Sequence, residues 1–227
     1  MVNNELELID FAETVSEILL CDNETKIKRP FVNNDKKQKE AFYSKIDELK
    51  DKVRQDLNFF LASDPAADSK EEIIACYPGY KAIVYYRIAH ELSKLGLKFE
   101  ARIISEYIHR HTGIDIHPAS EIGVPFFIDH GTGIVIGETT IIGNYVKLYQ
   151  GVTLGALSLS AGSALKGVKR HPTIGNNVTI YSNASIFGGD TIIGDNVVIG
   201  SNVFLVESVP ANHKVMLRKP KLVLIKK

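Results

Sequence analysis

The 227-residue chain carries 27 Lys or Arg against 27 Asp or Glu, is 44% hydrophobic and is 24% charged. It therefore has neither the basic field that nucleic acid requires nor the acidic excess of a disordered tail. The length suffices for one domain or two small ones with a buried core.

The N-terminal stretch MVNNELELIDFAE is acidic and amphipathic. It lacks a positive region followed by an apolar one, so no signal peptide is expected. No apolar run reaches the roughly 18 residues of a membrane span. Cys21 and Cys76 form no spacing motif and read as reduced, incidental core residues. The expected location is the cytoplasm, with no nucleic-acid or membrane partner.

Leu8, Phe11, Val15, Ile18 and Leu19 share one helical face, as do Phe42, Ile46, Leu49, Val53, Leu57 and Phe60. Between them NETKIKRPFVNNDKK is polar, contains a proline and reads as a loop. Helices are expected over Gly79–Leu95, with Gly96 as the stop, and from Lys98 to about His111. Residues 1–113 are thus expected to form an α-helical domain. Within it, SDPAAD places Asp64 before Pro65, which suits a helix cap followed by a first-turn proline.

From Asp115 the pattern changes. Ile116, Ile122, Ile128 and Ile134 are six apart, and Ile136, Ile142, Leu148 and Leu154 continue the count after a two-residue slip. The repeat resumes at Ile174, passes Ile180 and Ile186, slips by one, and runs on through Ile193, Ile199 and Leu205. Gly follows many of these aliphatic residues and would cost about 1 kcal/mol each inside a helix. The reading is a solenoid of short flat strands, with one aliphatic residue in six pointing inward and Gly or Asn turning the corners. Three faces close a coil of about 18 residues, stacked at about 4.8 Å. Residues 114–210 are assigned to this domain, with a loop at 156–170 breaking the repeat. Residues 211–227 form a basic tail, with six Lys or Arg and no acid from His213 onward, and read as a solvated end.

The segments DIHP, IDHGTGIVIGE, VTLG, RHPTIG and GG together resemble the serine O-acetyltransferases, within the hexapeptide-repeat acyltransferases and nearest a longer-loop subgroup. The match runs from about Asp64 to Pro210. The resemblance implies an α+β chain: a helical N-terminal domain followed by a left-handed parallel β-helix of hexapeptide repeats. That handedness comes from the resemblance, since the usual crossover preference is the opposite. The implied activity moves an acetyl group from acetyl-CoA to the hydroxyl of L-serine, giving O-acetyl-L-serine and CoA in cysteine biosynthesis.

The residues suit that chemistry. A serine hydroxyl needs a base to attack a thioester, and the His130 imidazole titrates near neutrality. Asp115 lies 15 residues earlier, so the two are expected to stack on neighbouring coils, the carboxylate orienting the ring. The resemblance implies the same catalytic pair. An ionised Asp129 beside His130 suits a substrate ammonium, and the resemblance assigns the ammonium to Asp129 together with Asp64. For Asp64, capping and binding both remain open. Arg170 suits a bidentate grip on the serine carboxylate, and His171 a hydrogen bond near the reacting carbonyl. His117 is read as a structural histidine.

Carried over by position, Gly155, Ala156 and Ser182 are implied to contact acetyl-CoA, a co-substrate; no permanently bound cofactor is expected. No metal is expected either, because His117, His130 and His171 are widely spaced and two belong to the transferase motifs. The acetyl-CoA groove lies between neighbouring chains in this family, which implies a homotrimer and allows pairing of trimers through the helical domain. Family members that bind cysteine synthase insert a terminal Ile; this chain ends VLIKK, so that partnership is not expected. Two rival readings stand beside the main one: a hexapeptide O- or N-acyltransferase for a sugar or amino sugar, and a non-enzymatic solenoid module.

Overall fold

The computed structural model describes residues 2–20, 35–158, 160, 162–218, 223 and 225. Its first part is helical: α1 (Val2–Leu20), α2 (Lys36–Tyr43), α3 (Ile46–Ser63), α4 (Lys70–Cys76), α5 (Pro78–Lys94) and α6 (Lys98–Thr112). The apolar stripes read from the sequence face one another in a shared core, among them Phe11 and Val15 of α1, Leu49, Val53 and Phe60 of α3, and Ile83, Ile88 and Leu92 of α5. None of the described helices is long and apolar enough to cross a membrane.

Three local expectations change. The single stripe from Phe42 to Phe60 is two helices, α2 and α3, separated at Ser44–Lys45; the Ser44 hydroxyl donates back to the Ala41 carbonyl at 2.7 Å. The polar loop expected before it lies outside the described residues up to Asn34, and Asp35 then caps α2 by accepting from the N–H groups of Lys37 and Gln38. No helix starts at Pro65. Asp64 follows the end of α3 and its Oδ1 accepts the Ala66 N–H at 2.9 Å, a local Asx turn, while Ser69 caps α4. Cys76 is exposed rather than in the core, and Cys21 is outside the described residues.

The second part is a three-sided solenoid of parallel strands. The first face holds β1 (Asp115–Ile116), β4 (Val135–Ile136), β7 (Thr153–Gly155), β10 (Ser185–Phe187) and β13 (Phe204–Leu205) in that order. The second holds β2 (Glu121–Ile122), β5 (Ile141–Ile142), β8 (Thr173–Ile174) and β11 (Ile192–Ile193). The third holds β3 (Phe126–Asp129), β6 (Val146–Tyr149), β9 (Thr179–Ile180), β12 (Val198–Ile199) and β14 (Lys214–Val215).

The inward residue of each strand stacks on that of the next coil. Ile116, Ile136, Leu154 and Ile186 form one column. Ile122, Ile142, Ile174 and Ile193 form the second, and Ile128, Leu148, Ile180 and Ile199 the third. The corners use the left-handed backbone region that Asn tolerates: Asn177, Asn196 and Asn212 have φ of 55°, 59° and 63°. Their side chains form a ladder, Asn177 to Asn196 at 2.8 Å and Asn196 to Asn212 at 3.0 Å.

The coils are not uniformly 18 residues. Asp115 pairs with Val135, twenty residues on, which is the origin of the two-residue slip at Ile134–Ile136. Val135 pairs with Thr153, eighteen on, and Thr153 with Ser185, thirty-two on, because the 156–170 loop is inserted there. The coil from Ser185 to Phe204 has nineteen, the later slip by one. The ladder also passes Pro210: β14 pairs with β12, so the start of the expected tail completes a last coil.

A buried latch joins the two parts. Asp56 of α3, 0% exposed, accepts from Arg87 Nε and Nη2 of α5, both at 3.1 Å, and from the Phe126 N–H at 2.8 Å. Arg87 also donates to the Ile122 and Gly123 carbonyls at 2.7 and 2.8 Å. Burial pushes the Asp56 carboxyl up, and Arg87 pulls against it. Beside the latch Phe127, on the outer side of β3, packs under Phe60 at a ring distance of 4.6 Å. The unbroken apolar run FFI marks β3 as covered on both sides.

Candidate active site

The corner between the third and first faces carries the first group of candidate residues. Asp129 ends β3 and His130 turns the corner with φ 57°, the left-handed region, uncommon for residues with a Cβ but one in which Asn, Asp and His are enriched. That conformation throws the imidazole outward, and its side chain is 72% exposed. Its Nε2 is 3.7 Å from Asp129 Oδ1.

The chain folds Asp64 toward this corner. Its Oδ2 accepts the Tyr77 hydroxyl at 2.7 Å, and this hydrogen bond is the main cause that pushes the Tyr77 pKa up to about 12, with the Asp129 charge adding to it. Tyr149, opposite Asp129 in the ladder, is raised mainly by burial, with both Asp129 and Asp64 contributing. Asp64 and Asp129 thus converge on one concentration of negative charge next to an exposed imidazole.

Asp115 does not stack on His130 from a neighbouring coil. The long first coil puts the two in the same turn, at opposite ends of the corner that folds over the start of β1: Gly133 N–H bonds the Gly113 carbonyl at 2.8 Å and Asp115 N–H the Ile134 carbonyl at 2.9 Å. Among the described residues no hydrogen bond or ion pair joins the side chains of Asp115 and His130. Asp115 instead faces α6, where ligand-type atoms of Glu106, His109 and Asp115 lie within 4.8 Å of one another. Glu106 is already engaged by Arg102 and by His109 Nδ1 at 3.3 Å.

Arg170 and His171 stand at a different corner, between the first and second faces, where the inserted loop returns to the wall. Arg170 Nη2 is ion-paired with Glu138 Oε2, and Nη1 donates to the Leu165 carbonyl at 3.3 Å. This bond from Arg170 holds the Glu138 carboxyl below its ordinary range. His171 is buried, and its ring lies directly on Gly137: a Cβ there would come within 2.1 Å of its Cδ2 and Nε2. Burial first, then the Arg170 and Lys169 charges, lower the His171 pKa to about 4. Lys169 Nζ clamps the turn by donating to the carbonyls of Thr139 at 2.7 Å, Pro172 at 3.2 Å and His171. His117, at the same corner, accepts the Ala119 N–H on Nδ1 at 3.1 Å.

The candidate acetyl-CoA residues divide likewise. Gly155 and Ala156 leave β7 toward the Arg170–His171 corner, and the Phe187 ring occupies the space beside Gly155. Ser182 lies on the His130 side, its hydroxyl donating to Ser201 Oγ at 3.1 Å. The first face of the solenoid separates the two groups.

Sequence reasoning missed Glu138 and Thr139, which build the Arg170–His171 corner, and Tyr77, which holds Asp64. The signal for the first two was available in GETT, which breaks the aliphatic repeat with a Glu and two hydroxyls at a corner.

A helical part followed by a three-sided solenoid of short parallel strands is the architecture of the hexapeptide-repeat acyltransferases. No family model matches the chain. It is 51% identical over 142 residues to the plasmid serine acetyltransferase of Synechococcus elongatus, covering 61% of this chain and 44% of that one. The structure of serine acetyltransferase isoform 3 from Entamoeba histolytica, in complex with cysteine, matches with TM-score 0.80 and 35% identity over 99% of this chain and 84% of that one. The serine acetyltransferase of Neisseria gonorrhoeae, in complex with serine, matches with TM-score 0.73 and 31% identity over 92% and 83%. The chain belongs to the serine acetyltransferase family, and its solenoid is the left-handed parallel β-helix of that fold. It spans about half the length of the first curated relatives it matches, 44%, 47% and 48%.

Proposed function

We propose that this chain transfers the acetyl group of acetyl-CoA to the hydroxyl of L-serine, releasing O-acetyl-L-serine and CoA, in cysteine biosynthesis. The observation that carries the reading is the corner where an exposed His130 stands beside the convergent carboxylates Asp64 and Asp129. An acceptor with a hydroxyl to deprotonate and an ammonium to bind suits that pair of features, whereas a neutral sugar leaves the carboxylates unmatched.

In this reading His130 takes the hydroxyl proton as the serine oxygen attacks the thioester carbonyl carbon. The tetrahedral intermediate then collapses, the C–S bond breaks, and the CoA thiolate takes the proton back from the imidazolium. Asp115 would steady that imidazolium only after turning its carboxylate from Glu106 and His109 toward the ring, and Asp64 and Asp129 hold the serine ammonium. Arg170 offers the guanidinium edge not used by Glu138 to the serine carboxylate. Gly155, Ala156 and Ser182 line the path of acetyl-CoA.

One copy does not bring the His130 corner to the Arg170–His171 corner, since the first face stands between them. We infer a homotrimer in which each site takes one corner from each of two neighbours. Serine-dependent CoA release by the pure protein tests the activity, with homoserine, galactosides and amino sugars as rival acceptors; faster release with an amino sugar overturns the serine reading. His130→Ala is expected to lower kcat by at least about 10²-fold. Co-expressing His130→Ala with Arg170→Ala should restore about a quarter of the sites if they are shared between neighbours. No restoration refutes the shared site.

A further inference from the structure

The Thr139 hydroxyl has one hydrogen to donate and two acceptor positions. Both acceptor positions are filled: the backbone N–H of Arg170 donates to Oγ1 at 2.9 Å and that of His171 at 3.0 Å. Its hydrogen goes to the remaining neighbour, Nδ1 of His171, at 2.9 Å. The Thr139 backbone N–H, which can only donate, is aimed at the same nitrogen at 3.1 Å. Two independent donors on Nδ1 make it an acceptor and put the ring proton on Nε2. No hydrogen bond reaches Nε2 among the described residues.

We propose that Thr139 is a positioning residue that fixes His171 as the Nε2–H tautomer, so that the ring presents a neutral donor to the thioester oxygen as negative charge develops there. The catalytic half of this proposal rests on the acetyl-transfer reading; the tautomer does not. A second base at His171 would need a bare Nε2, and an imidazolium would need a hydrogen on Nδ1, where both Thr139 donors point. The charged and titratable groups around the ring are Arg170 and Lys169 on its own segment, Glu138 from the second coil and His117 from the first. The two cations oppose a charge on the ring, and the one carboxylate is tied to Arg170. A neutral donor needs no reorganisation as the oxyanion forms, which is where such groups act most strongly.

The test combines a spectrum with kinetics. Histidine-selective ¹⁵N labelling, with the signal assigned by its loss in His171→Gln, reads the tautomer directly in the full-length protein. The expected wild-type spectrum shows an unprotonated Nδ1 and a protonated Nε2 through neutral and mildly acidic pH, changing only as pH falls toward about 4. Thr139→Ser keeps the hydroxyl and should keep this spectrum and kcat within about threefold. Thr139→Val should mix the tautomers, move the ring's titration upward and lower kcat by about 10- to 10²-fold, beyond any change in KM. A protonated Nδ1 in the wild type overturns the proposal, as does a Thr139→Val variant that keeps both the wild-type tautomer and kcat. Loss of kcat in Thr139→Val with an unchanged tautomer also overturns it, because the effect would then be loosening of the loop. If the wild type releases no CoA with serine, the transferase reading falls, while the spectra of the wild type and the two Thr139 variants still decide the tautomer.

Discussion

Replacing Asp56 with Ala should detach the helical part from the first coil. The carboxylate is fully buried and accepts from two Arg87 nitrogens and from the Phe126 N–H. Its removal leaves a guanidinium in the interior without a counter-charge, although the Ile122 and Gly123 carbonyls still receive two of its hydrogens. Breaking one side of such a pair costs about 3–5 kcal/mol. For a chain of this size that is about 2–4 °C per kcal/mol, so Tm should fall by about 6–20 °C. Thermal unfolding followed by circular dichroism reads the shift, and urea unfolding at fixed temperature gives the free energy. The double variant Asp56→Leu/Arg87→Met removes both charges and restores apolar packing, so it should recover most of the loss. The Phe126 N–H and the Ile122 and Gly123 carbonyls left bare limit that recovery, the buried N–H costing more than either carbonyl. A drop below about 2 °C for Asp56→Ala refutes the reasoning, as does a double variant no more stable than the single one.

Three further outcomes follow from the Arg170–His171 corner. Gly137→Ala puts a methyl where the buried His171 ring lies, so a displaced donor should cost at least about tenfold in kcat and the overpacking about 1–3 kcal/mol of stability; wild-type kcat would show that the ring is free to move without consequence. Lys169→Met removes three bonds to carbonyls around the turn, and the KM for serine should rise about tenfold, equivalent to about 1.4 kcal/mol, through a mispositioned Arg170. An unchanged KM sinks that link. The His171 pKa is lowered from 6.5 to about 4, so the folded chain binds this proton less readily than the unfolded one. Stability from this group is intact above about 6.5, declines as pH falls to about 4, and is level below that. His171→Gln should flatten this part of the Tm–pH curve, and parallel curves would contradict the assignment.

Much of the architecture was legible because its cause is a local period. The column Ile116, Ile136, Leu154, Ile186 can be read straight off the repeat, and even the slips in the count are real changes of coil length. The helix ends were less legible, since they depend on single side chains. Asp64 before Pro65 has the form of a cap, yet its carboxylate satisfies Ala66 and Tyr77 across a turn. The site was legible as residue types and opaque as geometry. His130 and Arg170 are plain in their motifs, but nothing in their spacing tells that they occupy different corners. That depends on how a 20-residue first coil and a long insertion wrap the chain. Thr139 was opaque for another reason: its importance comes from three bonds made to residues more than thirty positions away.

The wall is indifferent to the length of its one large insertion. Thr153 and Ser185, the residues flanking it in the first face, pair with the same parallel register that joins the coils on either side. Closing a longer or shorter excursion changes the chain entropy only logarithmically. The part of the 156–170 segment before Lys169 and Arg170, which anchor the corner, is therefore replaceable: it can be shortened, exchanged or diversified while the stacked columns stay in place. Any change in acyl-donor preference that follows such an exchange then reports on the segment itself, which makes this corner a natural place to alter what the solenoid accepts without rebuilding it.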